Sequence, residues 1–352
     1  MNREPTYKIV PQMKIYDNIG WKWLPFVMFS QVPNFRSQVL NTDINGFRYN
    51  SIKSIVNKSI LNKFNEKDNY IILGNSTAFG VGATSDHFTI SSNLTDDKSN
   101  FINLACRAHV GFQELISLFS NFQKLENIKK IIIISGVNDF YLSKILEINY
   151  PDNFYFYSVF SENMNKIKIN LSKKVTKYFL NIFFPNILDD ENIHKINKNN
   201  ILKFLSSSKF RENFNLEKNL ETLTIEQKFE RNFKLYSLLK NYFNCEVQFY
   251  MQPVLQWSKD MSAEEKELIK LTNSENNNIN NKVLKYFNNE NYKFLSKILN
   301  DISNKHGIKF FDINTYFRKT LKKDDWCFVD SVHCTDLGYK NISDYIRNNL
   351  KS

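Results

Sequence analysis

The stretch Tyr70-Ile-Ile-Leu-Gly-Asn-Ser-Thr-Ala-Phe-Gly80 decides how this chain is read. A short apolar run stops at Gly74, presents Ser76, and passes into small residues closed by Gly80. An Ile- and Leu-rich run bounded by glycine predicts a strand buried on both faces. These residues alone leave two readings of Ser76 open. A strand-end serine can simply satisfy a turn, or the strand can lift a hydroxyl toward a substrate.

Working outward, four further runs repeat the pattern: Phe101–Leu104, Lys130–Ile134, Glu246–Met251 and Ile308–Phe311. Apolar residues at helical spacing lie between them, over Phe112–Leu125, Phe229–Phe243 and Asn291–His306, and a last helix is expected over Tyr339–Leu350. Gly307 is read as a helix C-cap. Strands alternating with helices predict an α/β protein with a central parallel sheet of about five strands. Residues 1–68 form an N-terminal extension expected to pack on the core, with the aromatic stretch WKWLPFVMF (21–29) read as packing against that core rather than as a membrane-surface helix. Residues 140–227, rich in Lys, Asn and Phe, read as a helical insert or cap, leaving 69–139 and 228–352 as the core.

The chain has 352 residues, 42% of them hydrophobic, enough to build one large core or two modest ones. Its formal net charge is +11, yet the lysines are spread along the chain. With no dense basic block, zinc spacing or RNA-binding aromatic signature, no nucleic-acid partner is expected. Two readings of the charge stay open: a field that draws an anionic substrate, such as an acidic sugar or a nucleotide-sugar, or a merely solvated surface. The N-terminus lacks a signal-peptide pattern, and no apolar run approaches the roughly 20 residues of a membrane span. The four cysteines form neither a CxxC pair nor a small disulfide scaffold, so a cytoplasmic location is expected. Oligomeric state is not legible.

Chemical groups follow several strand ends. Asn138 stands just past the third strand, the second runs into NLACRAHVGFQEL (103–115), and Asp330 and His333 lie three residues apart before the last helix. Ligands of open parallel sheets bind at the carboxyl edge, so these groups are expected to converge there with Ser76. The other readings are a helix-capping role for Asn138 and Asp139, and a surface turn for Asp330 and His333.

Taken in order, ILGNSTAFGVGAT (72–84), NLACRAHVGFQEL (103–115), GVND (136–139) and DSVH (330–333) resemble the blocks of the SGNH (GDSL-like) hydrolase superfamily, in a bacterial sugar-ester form. NGFR (45–48) is similar to what often precedes the nucleophile block in bacterial members. The resemblance covers the sheet core and implies a flavodoxin-like α/β/α sandwich. It implies Ser76 as nucleophile, His333 as general base and then acid, and Asp330 as the group that orients the imidazole. It implies an oxyanion hole made by the backbone N–H groups of Ser76 and Ala105 and the side chain of Asn138. No cofactor and no metal are implied. Asn75 stands where the family often has Asp or Gly, and Ala105 where it usually has glycine, whose backbone donor alanine supplies when φ is negative. Arg107, His109 and Gln252 are candidate substrate contacts. The expected activity is a serine esterase acting on O-acetyl groups of a sugar or on another small ester. The alternatives are an O-acyltransferase using the same site and a non-catalytic glycan- or partner-binding module.

Overall fold

The computed structural model describes residues 3–24, 26–50, 59–62, 68–144, 223–275 and 286–350. Residues Met1–Ile148 and Thr224–Ser352 belong to one compact unit. The expected insert at 140–227 lies outside the described residues except at its two ends, which are helical.

An antiparallel hairpin, β1 (Trp21–Leu24) and β2 (Met28–Gln31), precedes the sheet. The aromatic stretch WKWLPFVMF is thus a hairpin, with Phe29 fully buried and Phe26 87% exposed at its tip. The central sheet contains β3 (Asp68–Gly74), β4 (Ser99–Asn103), β5 (Ile128–Ser135), β6 (Glu246–Met251) and β7 (Lys309–Asp312). All its pairings are parallel, in the order β4-β3-β5-β6-β7. That is the doubly wound order of flavodoxin-type sheets.

The run Ile131-Ile-Ile-Ile134 shows why this strand is central. Side chains alternate across a strand, and both faces here are covered. Ile131 and Ile133 pack with Ile71, Leu73, Val247 and Phe249 against the helices Gly111–Phe119, Ile225–Phe243 and Asn289–Lys305. Ile132 and Ile134 join Ile72 and Tyr250 on the other face, against Ile313 and Phe317 of one helix and Ile342 and Ile346 of the last. All four isoleucines are fully buried, each stabilising the fold by about 1.5–3 kcal/mol relative to exposure.

Two helices begin earlier than their apolar spacing suggests, because side-chain caps start them. Thr224 and Gln227 form a reciprocal capping box ahead of Ile225–Phe243. Thr335 caps the last helix, Asp336–Asn349, by accepting from the Gly338 N–H at 3.3 Å. Gly338 therefore lies inside the first turn, where a Cβ would strike the Cys327 carbonyl.

Register places the site. Gly74 pairs with Ile134, Ser135 with Met251, and Met251 with Asp312. The residues that follow, Asn75, Gly136 and Gln252, leave along one carboxyl edge.

Candidate active site

β3 ends at Gly74, whose φ of 149° and contact with the Ile134 carbonyl leave no room for a Cβ. The chain then turns into the short helix Ser76–Phe79 with Asn75 as N-cap, and the Asn75 side-chain oxygen accepts from the Thr77 N–H at 3.1 Å. Ser76 is thus the first helical residue, with its N–H unclaimed by the helix. Gly80 closes the turn at φ 92°. Behind it, the fully buried Arg48 donates to the carbonyls of Phe79 and Gly80 and pairs with Asp86 at 2.8 Å. The NGFR segment thereby braces the turn that carries Ser76.

His333 and Asp330 come from the loop between the helix Ile313–Thr320, which follows β7, and the last helix. His333 Nε2 lies 2.7 Å from Ser76 Oγ, and His333 Nδ1 lies 2.7 Å from Asp330 Oδ2. The other carboxylate oxygen accepts the backbone N–H groups of Val332 and His333 at 2.9 and 2.8 Å. Burial would raise the Asp330 pKa, but His333 and the two N–H donors outweigh it and hold the carboxyl below its usual value. Asp330 therefore stays ionised as a partner for an imidazolium. Glu265, 1% exposed, anchors the start of this loop by accepting from the N–H groups of Cys327 and Phe328.

A buried polar chain ties the two loops together. Asn75 donates to Gln252 Oε1, Gln252 Nε2 donates to Thr77 Oγ1 at 3.3 Å, and Thr77 donates to the Val332 carbonyl at 3.0 Å. Asn75 is thus no passive replacement for the family's Asp or Gly. Its amide is the donor that Gln252 accepts.

Three expected substrate contacts are corrected. Gln252 is fully buried in this chain of hydrogen bonds. Arg107 points away from the edge: its guanidinium donates to Gln31 Oε1 and to the carbonyls of Tyr16, Ile19 and Gly20, and stacks on Trp21 at 4.3 Å. His109 is 1% exposed, with Nε2 2.9 Å from the Phe29 carbonyl, and burial lowers its pKa to about 4. Arg107 and His109 fasten the N-terminal extension to the core.

The expected backbone donor of Ala105 is also corrected. Ala105 is not among the positive-φ residues, yet its N–H is already committed to Asn103 Oδ1 at 3.0 Å. Three residues on, Ala108 takes the left-handed conformation at φ 60° and is partly exposed. No protein acceptor takes its N–H among the described residues. Asn138 stands beside it, donating one amide hydrogen to the His109 carbonyl at 2.8 Å and keeping the second. The sequence signal for Ala108 is slight, a small residue inside a polar loop, since a backbone donor has no side-chain signature.

Beneath this loop Asp139 accepts from the Gly111 N–H at 3.0 Å and caps the neighbouring helix, while Glu114 accepts from the Ser135 hydroxyl at 2.6 Å. Burial pushes Asp139 up to about 6 and Glu114 well above the ordinary range. The four cysteines are free and buried, and burial raises their thiols, Cys327 to about 12. None is a ready nucleophile.

The parallel sheet order gives the chain a doubly wound, flavodoxin-like α/β fold, and the four blocks that resemble SGNH hydrolases stand at its carboxyl edge. No protein-family model matches the sequence, and no curated protein does. Among solved structures the chain is similar to the acetyl xylan esterase AlAXEase (10% identity, TM-score 0.39, over 80% of this chain and 99% of that one). It is similar as well to the lipase/acylhydrolase from Enterococcus faecalis (10%, 0.40, 80% and 95%). A third is the extracellular lipase from Streptomyces rimosus (12%, 0.39, 80% and 98%). No helix among the described residues is long and apolar enough to cross a membrane.

Proposed function

We propose that the protein is a serine esterase working through an acyl-enzyme, with O-acetyl groups on a sugar as its substrates. The observation that carries this reading is the unbroken chain Asp330–His333–Ser76, with 2.7 Å at each link. A serine hydroxyl is a weak nucleophile at neutral pH and needs a base in hydrogen-bond reach. His333 Nε2 takes the Ser76 proton as Oγ attacks the acyl carbonyl, and Asp330 stabilises the imidazolium. The carbonyl oxygen becomes an oxyanion, for which the Ser76 and Ala108 N–H groups and the second amide hydrogen of Asn138 are the available donors. His333 returns the proton to the departing sugar oxygen. Water then releases acetate; in a transferase form of the same site a second sugar hydroxyl takes the acetyl group. The sugar preference follows the sequence resemblance alone.

The test is acyl-enzyme trapping. Purified protein and its Ser76→Ala variant are mixed with p-nitrophenyl acetate and followed by intact mass and by nitrophenol release. An acetyl adduct and turnover that both vanish in the variant support the reading. Equal background rates with no adduct overturn the esterase reading.

A further inference from the structure

Beside the loop that carries Asp330 lies a cavity of about 480 Å³, lined by Gln256, Trp257, Asn289, Arg318 and Lys323 among others. Hydrogen bonds to Ser331 join its wall to the loop of the candidate active site. Ser331 accepts from the Leu255 N–H at 2.9 Å through its carbonyl and from Gln256 Nε2 at 3.2 Å through its hydroxyl. The cavity wall is therefore fastened to the residue between Asp330 and Val332.

The charge on this wall is unevenly neutralised. Lys259 is matched by Glu265 at 2.7 Å, both side chains nearly buried. Arg318 and Lys323 have no carboxylate partner among the described residues. Among the described lining residues Asp260 is the one carboxylate. Asp312, off this lining, accepts from the Tyr292 and Thr315 hydroxyls that Arg318 also meets, so Lys323 is the less compensated of the two cations. Arg318 is exposed yet held still: it donates to the Trp257 carbonyl at 2.7 Å, to Thr315 Oγ1 at 3.1 Å and to the Tyr292 hydroxyl, and lies 4.3 Å from the centre of the Tyr292 ring. A guanidinium fixed in this way has already lost its rotamer freedom, and its Nε–H and second Nη1–H are left to donate to an oxyanion. Asn289 and Gln256 add amides of the kind that bind sugar hydroxyls.

We infer that this cavity is a subsite for an oxyanion, the carboxylate or phosphate of an acidic sugar, with Arg318 and Lys323 as its charged contacts. The inference rests on the esterase reading for its place in a reaction and names the substrate class of that site.

Calorimetric titration of the full chain with glucuronate, glucose 6-phosphate and glucose tests it. Binding of at least one anionic sugar tenfold or more tighter than glucose is expected, and the tighter of the two identifies carboxylate or phosphate as the preferred group. Lys323→Glu should weaken that binding at least tenfold. Arg318→Gln should do the same and Arg318→Lys less. Because Arg318 also holds the Trp257 carbonyl, the exposed Lys323 variant decides if Arg318→Gln misfolds. Equal affinity for charged and neutral sugars, or anion binding indifferent to Lys323→Glu, overturns the subsite while leaving Ser76 acetylation intact. Lys323-dependent anion binding with no Ser76 adduct would instead remove the esterase reading and keep the binding site.

Discussion

Thr77 donates its hydroxyl to the Val332 carbonyl at 3.0 Å, tying the residue after the candidate nucleophile to the residue before the candidate base. Nothing in the covalent chain holds Ser76 against His333; this bond and its Gln252 partner do so together with the Tyr339 hydroxyl on the Val81 carbonyl and the Thr84 N–H on Asp336. Thr77→Val keeps the shape but strands the Val332 carbonyl and Gln252 Nε2, which should cost about 1–3 kcal/mol of stability. Because the loss falls on the Ser76–His333 spacing, kcat should drop roughly tenfold with little change in KM. Denaturant unfolding and steady-state kinetics on p-nitrophenyl acetate read both effects. Unchanged kcat in a destabilised variant would confine the chain of bonds to a structural role.

The proposed proton path sets a steeper expectation. His333→Ala removes the base and should lower kcat by about 10⁴-fold or more, and Asp330→Asn, which keeps the shape, should cost about 10³–10⁴ by disturbing the tautomer and the imidazolium. Circular dichroism should show both variants folded. A loss under tenfold for either would separate that residue from the chemistry.

Asn138 is expected to act on charge that develops only during acyl transfer. Asn138→Ala should therefore reduce kcat by about 10²–10³ with a smaller effect on KM. An effect on KM alone would mean that Asn138 merely holds the His109 carbonyl, its observed partner.

The sheet was legible because its strands are continuous apolar runs. The isoleucines at 131–134 cannot alternate between core and water, so they announce burial on both faces. Ser76, Asn138, Asp330 and His333 stood out through the joint order of the four SGNH-like blocks; each alone reads as well as a turn, a helix cap or a surface pair. Arg107 and His109 misled for a physical reason. A polar residue in a loop near the site resembles a ligand contact until its partner is known, and their partners, Gln31 and Phe29, lie more than 70 residues away in the chain. Ala105 and Ala108 differ in backbone geometry and in which N–H is already taken, neither of which side-chain identity encodes. The hairpin at Trp21–Gln31 escaped because its aromatic run lacks a clear period, and the pairing of Trp21 with Gln31 supplies the order instead.

His109 gives a prediction about stability that is independent of catalysis. It sits buried with Nε2 on the Phe29 carbonyl and with Nδ1 lacking any hydrogen-bond partner among the described residues. Burial lowers its pKa from 6.5 to about 4 in the folded protein. Between those values the unfolded chain binds the proton and the folded one does not. The neutral ring's contribution is therefore fully present above about pH 6.5 and is lost as pH falls toward 4, to the extent of ~3 kcal/mol. Asp139, whose pKa burial raises to about 6, works in the opposite direction over part of this range, so the wild-type curve alone does not isolate the effect. The difference between wild type and His109→Gln does, since glutamine offers Phe29 an amide donor and does not titrate. Denaturant unfolding at pH 7 and pH 4 should show the wild type losing about 3 kcal/mol more than the variant. Parallel losses in the two proteins would mean that the buried imidazole is protonated in the fold as easily as in water.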